Sequence, residues 1–294
     1  MIIPAPLGWW RDAPGGAAWL ERLPQIVNRC AERWSLDVGE PLSGGNVALV
    51  LEALSADGAA VVLKVSFPDE ESEHEADALA LWDGTGAVRL LAHDISERAL
   101  LLERIDPGTC LWEVGDDEQA MAIAADVMLA LHGRAPPAGP FKTLADAAAG
   151  WAETIPRDWV STGCAFPADI VDLAVEACLE LPVGRLPDVV LHQDLHGGNI
   201  LCSSDRGWLA IDPKPLVGEA AFDAASLLRD RRWLLNGPAT QAMVSRRLDL
   251  LVETTGLDRE RMRLWGIVHA LAWGVSGTKV EPDMICCAEA LASV

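Results

Sequence analysis

The 294-residue chain contains no run of eighteen or more uninterrupted apolar residues, so no membrane-spanning helix is expected. Its opening stretch, MIIPAPLGWWRDAPGG, lacks a basic region followed by an apolar one. A secretory signal is therefore not expected either. None of the seven cysteines forms a C-x-x-C pair, which removes the usual signatures of a zinc ribbon or a thioredoxin-like site. Their number is odd and most lie among apolar neighbours, so buried free thiols in a reducing, cytoplasmic setting are expected. Basic residues are scarce, 23 Lys and Arg against 44 Asp and Glu, for a net charge of −21. Such a surface repels a phosphate backbone, so nucleic acid is not expected as a partner. It favours a cationic small molecule, although acidity can also serve solubility alone. No internal repeat or low-complexity tail is present.

Half of the residues are apolar, enough to build a packed core in one large domain or two lobes. The two ends of the chain differ in character. Residues 37–65 read as three antiparallel strands. Val47 to Leu54 and Ala59 to Val65 flank a turn of the Asp-Gly kind at Ser55-Ala56-Asp57-Gly58, and Leu42-Ser43-Gly44-Gly45-Asn46 makes a second glycine-bearing turn. The acidic segment 69–82 predicts a helix with Ala76, Leu79, Ala80 and Trp82 on its apolar face. Two more strands, Val88 to Ala92 and Ala99 to Glu103, precede a break at Asp106-Pro107-Gly108. Beyond residue 116 helical patterns dominate: 117–133, then near 142–155 and 167–181, then most of the chain from 222 onward. Short strands at 189–191 and 208–212 enclose a loop. The expected organisation is a β-rich N-terminal lobe over 1–105 and a helical C-terminal lobe over 106–294.

The loop carries the densest signal: Val190-Leu191-His192-Gln193-Asp194-Leu195-His196-Gly197-Gly198-Asn199-Ile200-Leu201. Apolar pairs frame a polar centre, the pattern of a rigid device for presenting side chains. Asp194 and Asn199 stand five positions apart, the spacing of the kinase catalytic loop H-x-D-x-x-x-x-N. In Trp208-Leu209-Ala210-Ile211-Asp212-Pro213 an Asp ends an expected strand, eighteen residues after Asp194, where kinases carry a metal-binding Asp; Asp-Pro stands here in place of D-F-G. These residue types suit phosphoryl transfer, whose loose transition state asks for positioning and charge neutralisation. Asp194 can orient an acceptor hydroxyl and take its proton late. Asn199 and Asp212 offer hard oxygen ligands to Mg²⁺. Lys64, alone in the apolar strand Val61-Val62-Leu63-Lys64-Val65, is a candidate for the α- and β-phosphates. Among the glutamates that follow, Glu75 is favoured as its partner because it aligns with the inward stripe of the helix. Backbone N–H groups of Ser43, Gly44 and Gly45 can cover the phosphates.

Each feature alone has a plainer explanation. Two His and an Asp can belong to a metal cluster, but no cysteine or further ligand accompanies them. A strand lysine can snorkel, a Gly-Gly turn can simply close a hairpin, and the glutamates can be a solvated first turn. The chain order of glycine loop, strand Lys, helix Glu, hinge, H-x-D-x-x-x-x-N and strand-end Asp makes coincidence a poor account.

Leu191 to Ile200, together with Gly207-Trp208-Leu209-Ala210-Ile211-Asp212-Pro213-Lys214-Pro215-Leu216-Val217-Gly218-Glu219, resembles the aminoglycoside phosphotransferase family. Those stretches and Trp82-Asp83-Gly84-Thr85-Gly86-Ala87-Val88-Arg89-Leu90-Leu91 resemble its branch of streptomycin 6-kinases and hydroxyurea kinases. The resemblance spans roughly residues 37 to 275. It implies an α+β, bilobal protein-kinase-like fold and transfer of a phosphoryl group from ATP, with GTP as the other candidate donor, to a small-molecule hydroxyl with Mg²⁺. Asp194 matches the catalytic Asp, Asn199 and Asp212 the metal ligands, Lys64 the phosphate-binding Lys and Glu75 its helix partner. Glu103 to Ile105 fall at the adenine-binding hinge, and Asp223 matches an Asp of structural role. The Trp-rich segment with Trp9, Trp10 and Trp19 lies outside the motif set and is expected to cap the N-terminal lobe or pack against it. The acceptor residues do not transfer; Asp158, Asp230 and Glu219 are candidates for holding an ammonium or guanidinium. An aminoglycoside such as streptomycin is the leading acceptor. A metabolic kinase acting on an amino sugar, an amino alcohol or hydroxyurea shares the same core. A silent nucleotide-binding pseudokinase is disfavoured by intact Asp194, Asn199, Asp212 and Lys64. Oligomeric state is not legible.

Overall fold

The computed structural model describes residues 3–42, 47–136, 139–183 and 187–294. Ser43, Gly44 and Gly45, read above as a phosphate-covering turn, lie outside the described residues. The chain divides into two compact units, Met1–Gly108 and Thr109–Val294.

The N-terminal unit begins with a helix that strand-centred reading of the sequence overlooks, α1 (Gly16–Trp34). Trp19, Leu20, Leu23, Ile26, Val27 and Cys30 are buried at three- and four-residue spacing, the signature of one apolar face. That face packs against Leu49, Leu51, Leu63, Val65 and Ala99 of the sheet. Trp10 and Trp19 belong to this core, and Trp10 stacks on Phe67 with ring centroids 4.0 Å apart. The tryptophan-rich start is thus packing on the sheet. The tight approach demands glycine at position 16, where a Cβ would lie 1.9 Å from the Trp10 carbonyl oxygen.

The sheet runs β1 (Asp37–Pro41), β2 (Ala48–Leu54), β3 (Ala60–Ser66), then β5 (Ala99–Glu103) and β4 (Leu90–Asp94) at the edge. All of its pairings are antiparallel. The β2–β3 hairpin closes as its turn chemistry predicts. Ser55 N–H bonds the Ala59 carbonyl at 2.9 Å, and Gly58 adopts φ +83°, where L side chains are strained. Central strand β3 is buried from Val61 to Ser66. Side chains alternate across it, so Leu63 and Val65 face α1 while Lys64 points to the other side. There α2 (Glu75–Trp82) buries Glu75, Ala78, Leu79 and Trp82. The acidic run 69–74 does not extend this helix, contrary to the expectation of 69–82. Asp69 Oδ1 accepts from Ser72 N–H at 2.8 Å, and Ser72 Oγ donates to the Phe67 carbonyl at 3.0 Å. These local bonds give the backbone a turn in place of a helical ladder.

Strand β6 (Pro107–Cys110) carries the chain across the division into the second unit. Helices α3 (Asp117–His132), α4 (Leu144–Ser161), α5 (Ala168–Glu180), α6 (Ala224–Leu228), α7 (Thr240–Thr255), α8 (Arg259–Gly274) and α9 (Pro282–Ala292) make up most of it. Two short β elements frame its loop. Strand β8 (Asp188–Leu191) pairs antiparallel with β11 (Leu216–Glu219), which runs parallel to β7 (Lys142–Thr143). Strand β9 (Ile200–Ser203) forms a hairpin with β10 (Gly207–Ala210). Nearly all of α8 from Met262 to Leu271 is buried, so it is the unit's central helix. Arg247, 1% exposed, donates to both Asp117 oxygens at 2.9 and 2.8 Å and to the carbonyls of Leu228 and Asp230. It ties α7 to α3 and to the segment after α6. Among the described residues no helix is long and apolar enough to cross a membrane.

Candidate active site

The loop between β8 and β9 is held from below by Asp223. Its fully buried carboxylate accepts the backbone N–H groups of His192 at 2.9 Å and Gln193 at 2.8 Å, and His132 Nε2 stands 2.8 Å away. Burial opposes the charge on Asp223, yet these partners keep its carboxyl below the usual range. Gln193 sits at φ +69°, a left-handed conformation held by the clamp, and Ser226 Oγ donates to its carbonyl at 2.7 Å. The structural role expected for Asp223 is visible here as geometry.

Asp194 is next in the chain. Its Oδ1 accepts from Arg229 Nη2 at 2.7 Å, while Lys214 Nζ is 3.5 Å and His196 Nε2 3.8 Å from Oδ2. Burial pushes the carboxyl up, but His196, Arg229 and Lys214 outweigh it and hold it well below the usual carboxylate range. Arg229 at hydrogen-bond distance is the partner whose charge is permanent. Arg229 is itself aimed by Nε, which donates to His269 Nδ1 at 3.1 Å; His269 Nε2 lies 3.2 Å from the Gln193 carbonyl. That pattern assigns the proton of neutral His269 to Nε2. Burial, and then Arg229, drive its pKa well below the ordinary value, so the ring stays neutral beside the guanidinium.

Asn199 and Asp212 come to the same loop. Asn199 Nδ2 donates to the Asp194 carbonyl at 2.9 Å, which leaves the side-chain oxygen as the end suited to a hard cation. The Ile211 N–H bonds the Asn199 carbonyl at 2.9 Å and the Lys214 N–H bonds the His192 carbonyl at 3.0 Å. These bonds fix the Ile211–Lys214 turn against the loop, with Asp212 at φ +59°. Among the described residues no three His, Cys, Asp or Glu side chains gather as a metal cage. One amide oxygen and one carboxylate would suit a hard divalent cation that keeps waters and arrives with phosphate oxygens.

In the N-terminal unit Lys64 Nζ bonds both carboxylate oxygens of Glu75, at 2.6 and 2.7 Å, and both side chains are buried. Glu103 accepts the Arg89 N–H at 2.8 Å through its side chain, and Ile105 is buried. The acidic acceptor candidates fare differently. Glu219 is buried and bound by Arg261 at 2.5 and 2.7 Å and by Trp265 Nε1. Asp230 receives Trp112 Nε1 at 2.6 Å, the Gly197 N–H at 3.0 Å and the Arg231 N–H at 2.8 Å. Both carboxylates are committed to the protein's own donors, which corrects their reading as acceptor ligands. Asp158 pairs with neighbouring Arg157 at 3.0 Å.

Sequence reasoning missed Arg229, Lys214 and His269. Arg229 had one visible signal: it is the first cation after the run Ala224-Ala225-Ser226-Leu227-Leu228, with Arg231 and Arg232 close behind.

Comparison with known proteins extends the picture. The pattern of a family described as aminoglycoside/hydroxyurea antibiotic resistance kinase matches residues 33–281. A streptomycin 6-kinase of Streptomyces griseus is 38% identical, covering 94% of this chain and 92% of its own. A hydroxyurea phosphotransferase of Kitasatospora aureofaciens is 37% identical over 95% of this chain and 82% of its own. Among solved structures, an aminoglycoside phosphotransferase from Streptomyces rimosus superposes with a TM-score of 0.57 at 20% identity, covering 87% of this chain and 99% of the other. The shared architecture is the protein-kinase-like α+β fold, with a β-rich N-terminal part and a helical C-terminal part.

Proposed function

Because the chain belongs to the aminoglycoside/hydroxyurea antibiotic resistance kinase family, we propose that it transfers the γ-phosphoryl group of ATP to a hydroxyl of a small cationic acceptor, an aminoglycoside of the streptomycin kind. The observation that carries this reading is Asp194, a carboxylate held ionised by Arg229 on a loop that also bears Asn199. A carboxylate so stabilised is a weak base. It suits a reaction in which the acceptor proton leaves late, after the bond to the γ-phosphorus has largely broken. Asp194 accepts the hydrogen bond of the acceptor hydroxyl, aims its oxygen in line with the phosphorus and receives the proton as the new P–O bond forms. Asn199 and Asp212 would hold Mg²⁺, which would supply neutralisation of charge on the phosphate oxygens. Lys64, steadied by Glu75, is assigned to the α- and β-phosphates. The backbone at Glu103 to Ile105 is assigned to the adenine, and that of Ser43, Gly44 and Gly45 to the phosphates. GTP is the alternative donor. Free cysteines and the need for ATP support a cytoplasmic setting.

Hydroxyurea is a second acceptor, favoured by the relative of that activity that aligns with 95% of the chain. The two acceptors separate in a coupled ADP-release assay with Mg²⁺-ATP, using streptomycin, other aminoglycosides, hydroxyurea, amino sugars and amino alcohols. Acceptor-dependent ADP release with streptomycin is expected; release with hydroxyurea alone would transfer the activity to the second reading. The metal assignment has its own test. Asp212→Asn should raise the Mg²⁺ concentration needed for half-maximal rate by about tenfold or more, since a carboxylate ligand becomes neutral. An unchanged magnesium titration would remove Asp212 from the ligand set.

A further inference from the structure

Beside the catalytic loop, in the C-terminal unit, two tryptophans remain solvent-accessible: Trp112 is 39% exposed and Trp233 53%. Trp112 is not a stray surface residue. Its ring stacks on His196, with centroids 5.0 Å apart and planes 9° from parallel. Its Nε1–H donates to Asp230 Oδ1 at 2.6 Å, and Asp230 Oδ2 accepts the Gly197 N–H at 3.0 Å. One carboxylate therefore fixes the indole and the loop in one register. The indole lies so close to the loop that a Cβ at Gly197 would sit 2.7 Å from Trp112 Cδ1, and one at Gly198 2.7 Å from Cη2. The Gly197-Gly198 pair thus makes room for this ring. Trp233 meets Trp112 edge to face, with centroids 5.5 Å apart. On the other side His196 Nε2 lies 3.8 Å from Asp194 Oδ2. Its Nδ1 accepts the Gly198 N–H at 3.1 Å, which assigns the ring proton to Nε2, toward Asp194. Burial keeps the His196 ring below its ordinary pKa, against the pull of Asp194. A row of π-systems, Trp233, Trp112 and His196, therefore leads to the carboxylate that would receive the acceptor hydroxyl.

We propose that Trp112 and Trp233 form the platform on which the cationic part of the acceptor, a guanidinium or ammonium group, rests while its hydroxyl meets Asp194. The proposal deepens the functional reading above and rests on it. Indole faces attract cations and prefer planar guanidinium. The net charge of −21 favours the same sign of ligand. With Asp230 and Glu219 taken up by the protein's own donors, the aromatic rings are a fixed feature next to the loop that can discriminate a cation from a neutral polyol. Asp230 acts by positioning Trp112.

The test separates this platform from the functional reading. Indole N–H resonances of Trp112 and Trp233, assigned from spectra of W112F and W233F, are followed in the ¹⁵N-labelled full chain. The probes are guanidinium-bearing streptomycin and neutral myo-inositol. Both resonances should shift saturably with streptomycin and stay in place with myo-inositol. Trp233→Ala should raise the streptomycin KM about tenfold, more than it lowers kcat, with the ATP KM unchanged. Turnover of streptomycin with motionless indole resonances would overturn the platform and leave the function standing. A raised ATP KM with an unchanged streptomycin KM would assign the rings to the nucleotide and likewise overturn it. If streptomycin is not phosphorylated at all, the functional reading falls, and the titration alone decides the platform: saturable shifts keep it, still resonances remove it.

Discussion

Asp194→Asn is expected to lower kcat by about a thousandfold while leaving the affinity for Mg²⁺-ATP within a few-fold of wild type. The substitution is nearly isosteric. An amide oxygen at position 194 can still accept from Arg229 Nη2, which lies 2.7 Å from Oδ1 in the native chain, so the loop should keep its shape. What is lost is the charge that orients the hydroxyl and the site that receives its proton. Steady-state kinetics together with calorimetric titration of nucleotide check both halves. A kcat within tenfold of wild type would remove Asp194 from the reaction. Loss of nucleotide binding in a folded variant would move its role to the donor.

Arg229→Met is expected to act on both stability and pH dependence. Removing one partner of a buried ion pair leaves the other charge poorly compensated, a cost of about 3 kcal/mol. Lys214 and His196, at 3.5 and 3.8 Å, stand farther from the carboxylate than Arg229 and restore only part of this. In the native chain the Asp194 carboxyl lies well below the usual range. It therefore stabilises the fold at every pH above the unfolded value, about 4, and that contribution is lost as pH falls through the folded value. The stability gap between wild type and Arg229→Met should be full at neutral pH and narrow below about pH 4. In the same variant the Asp194 pKa rises, so the acid limb of kcat/KM should move to higher pH. Arg229→Lys keeps a positive charge but loses the bond from Nε to His269, and should restore the acid limb in part. A variant with lowered stability and an unmoved acid limb would make Arg229 a packing residue with no hold on Asp194.

Much of the loop site was legible because its residues are near one another in sequence: Asp194 and Asn199 share one loop, and Asp212 follows after a single hairpin. In the N-terminal unit Lys64 and Glu75 stand on successive elements. The strands β2, β3 and β5 were legible through their alternation and their turns. Helix α1 was not, since Pro24 inside it and the tryptophans before it disguise an amphipathic face. Strands β9 and β11 are four residues each, too short for a pattern of their own. The side chains that set the properties of Asp194 come from distant positions: Arg229 from the end of α6, and His269 from the middle of α8. No spacing rule joins them to residue 194; only the packing of α6 on α8 does. Acidic residues were misjudged for the converse reason. Asp230 and Glu219 look available in a sequence that does not reveal Trp112, Arg261 or Trp265 beside them.

The central claim is that a phosphoryl group passes directly from ATP to the acceptor hydroxyl, with Asp194 orienting that hydroxyl and receiving its proton. Mass spectrometry of streptomycin after incubation with the full chain and Mg²⁺-ATP tests it most directly. The account predicts streptomycin carrying one added phosphoryl group with the wild-type chain, and unmodified streptomycin over the same interval with Asp194→Asn. Consumption of ATP with every acceptor molecule left unmodified would contradict it, as would equal yields of the phosphorylated product from the two proteins.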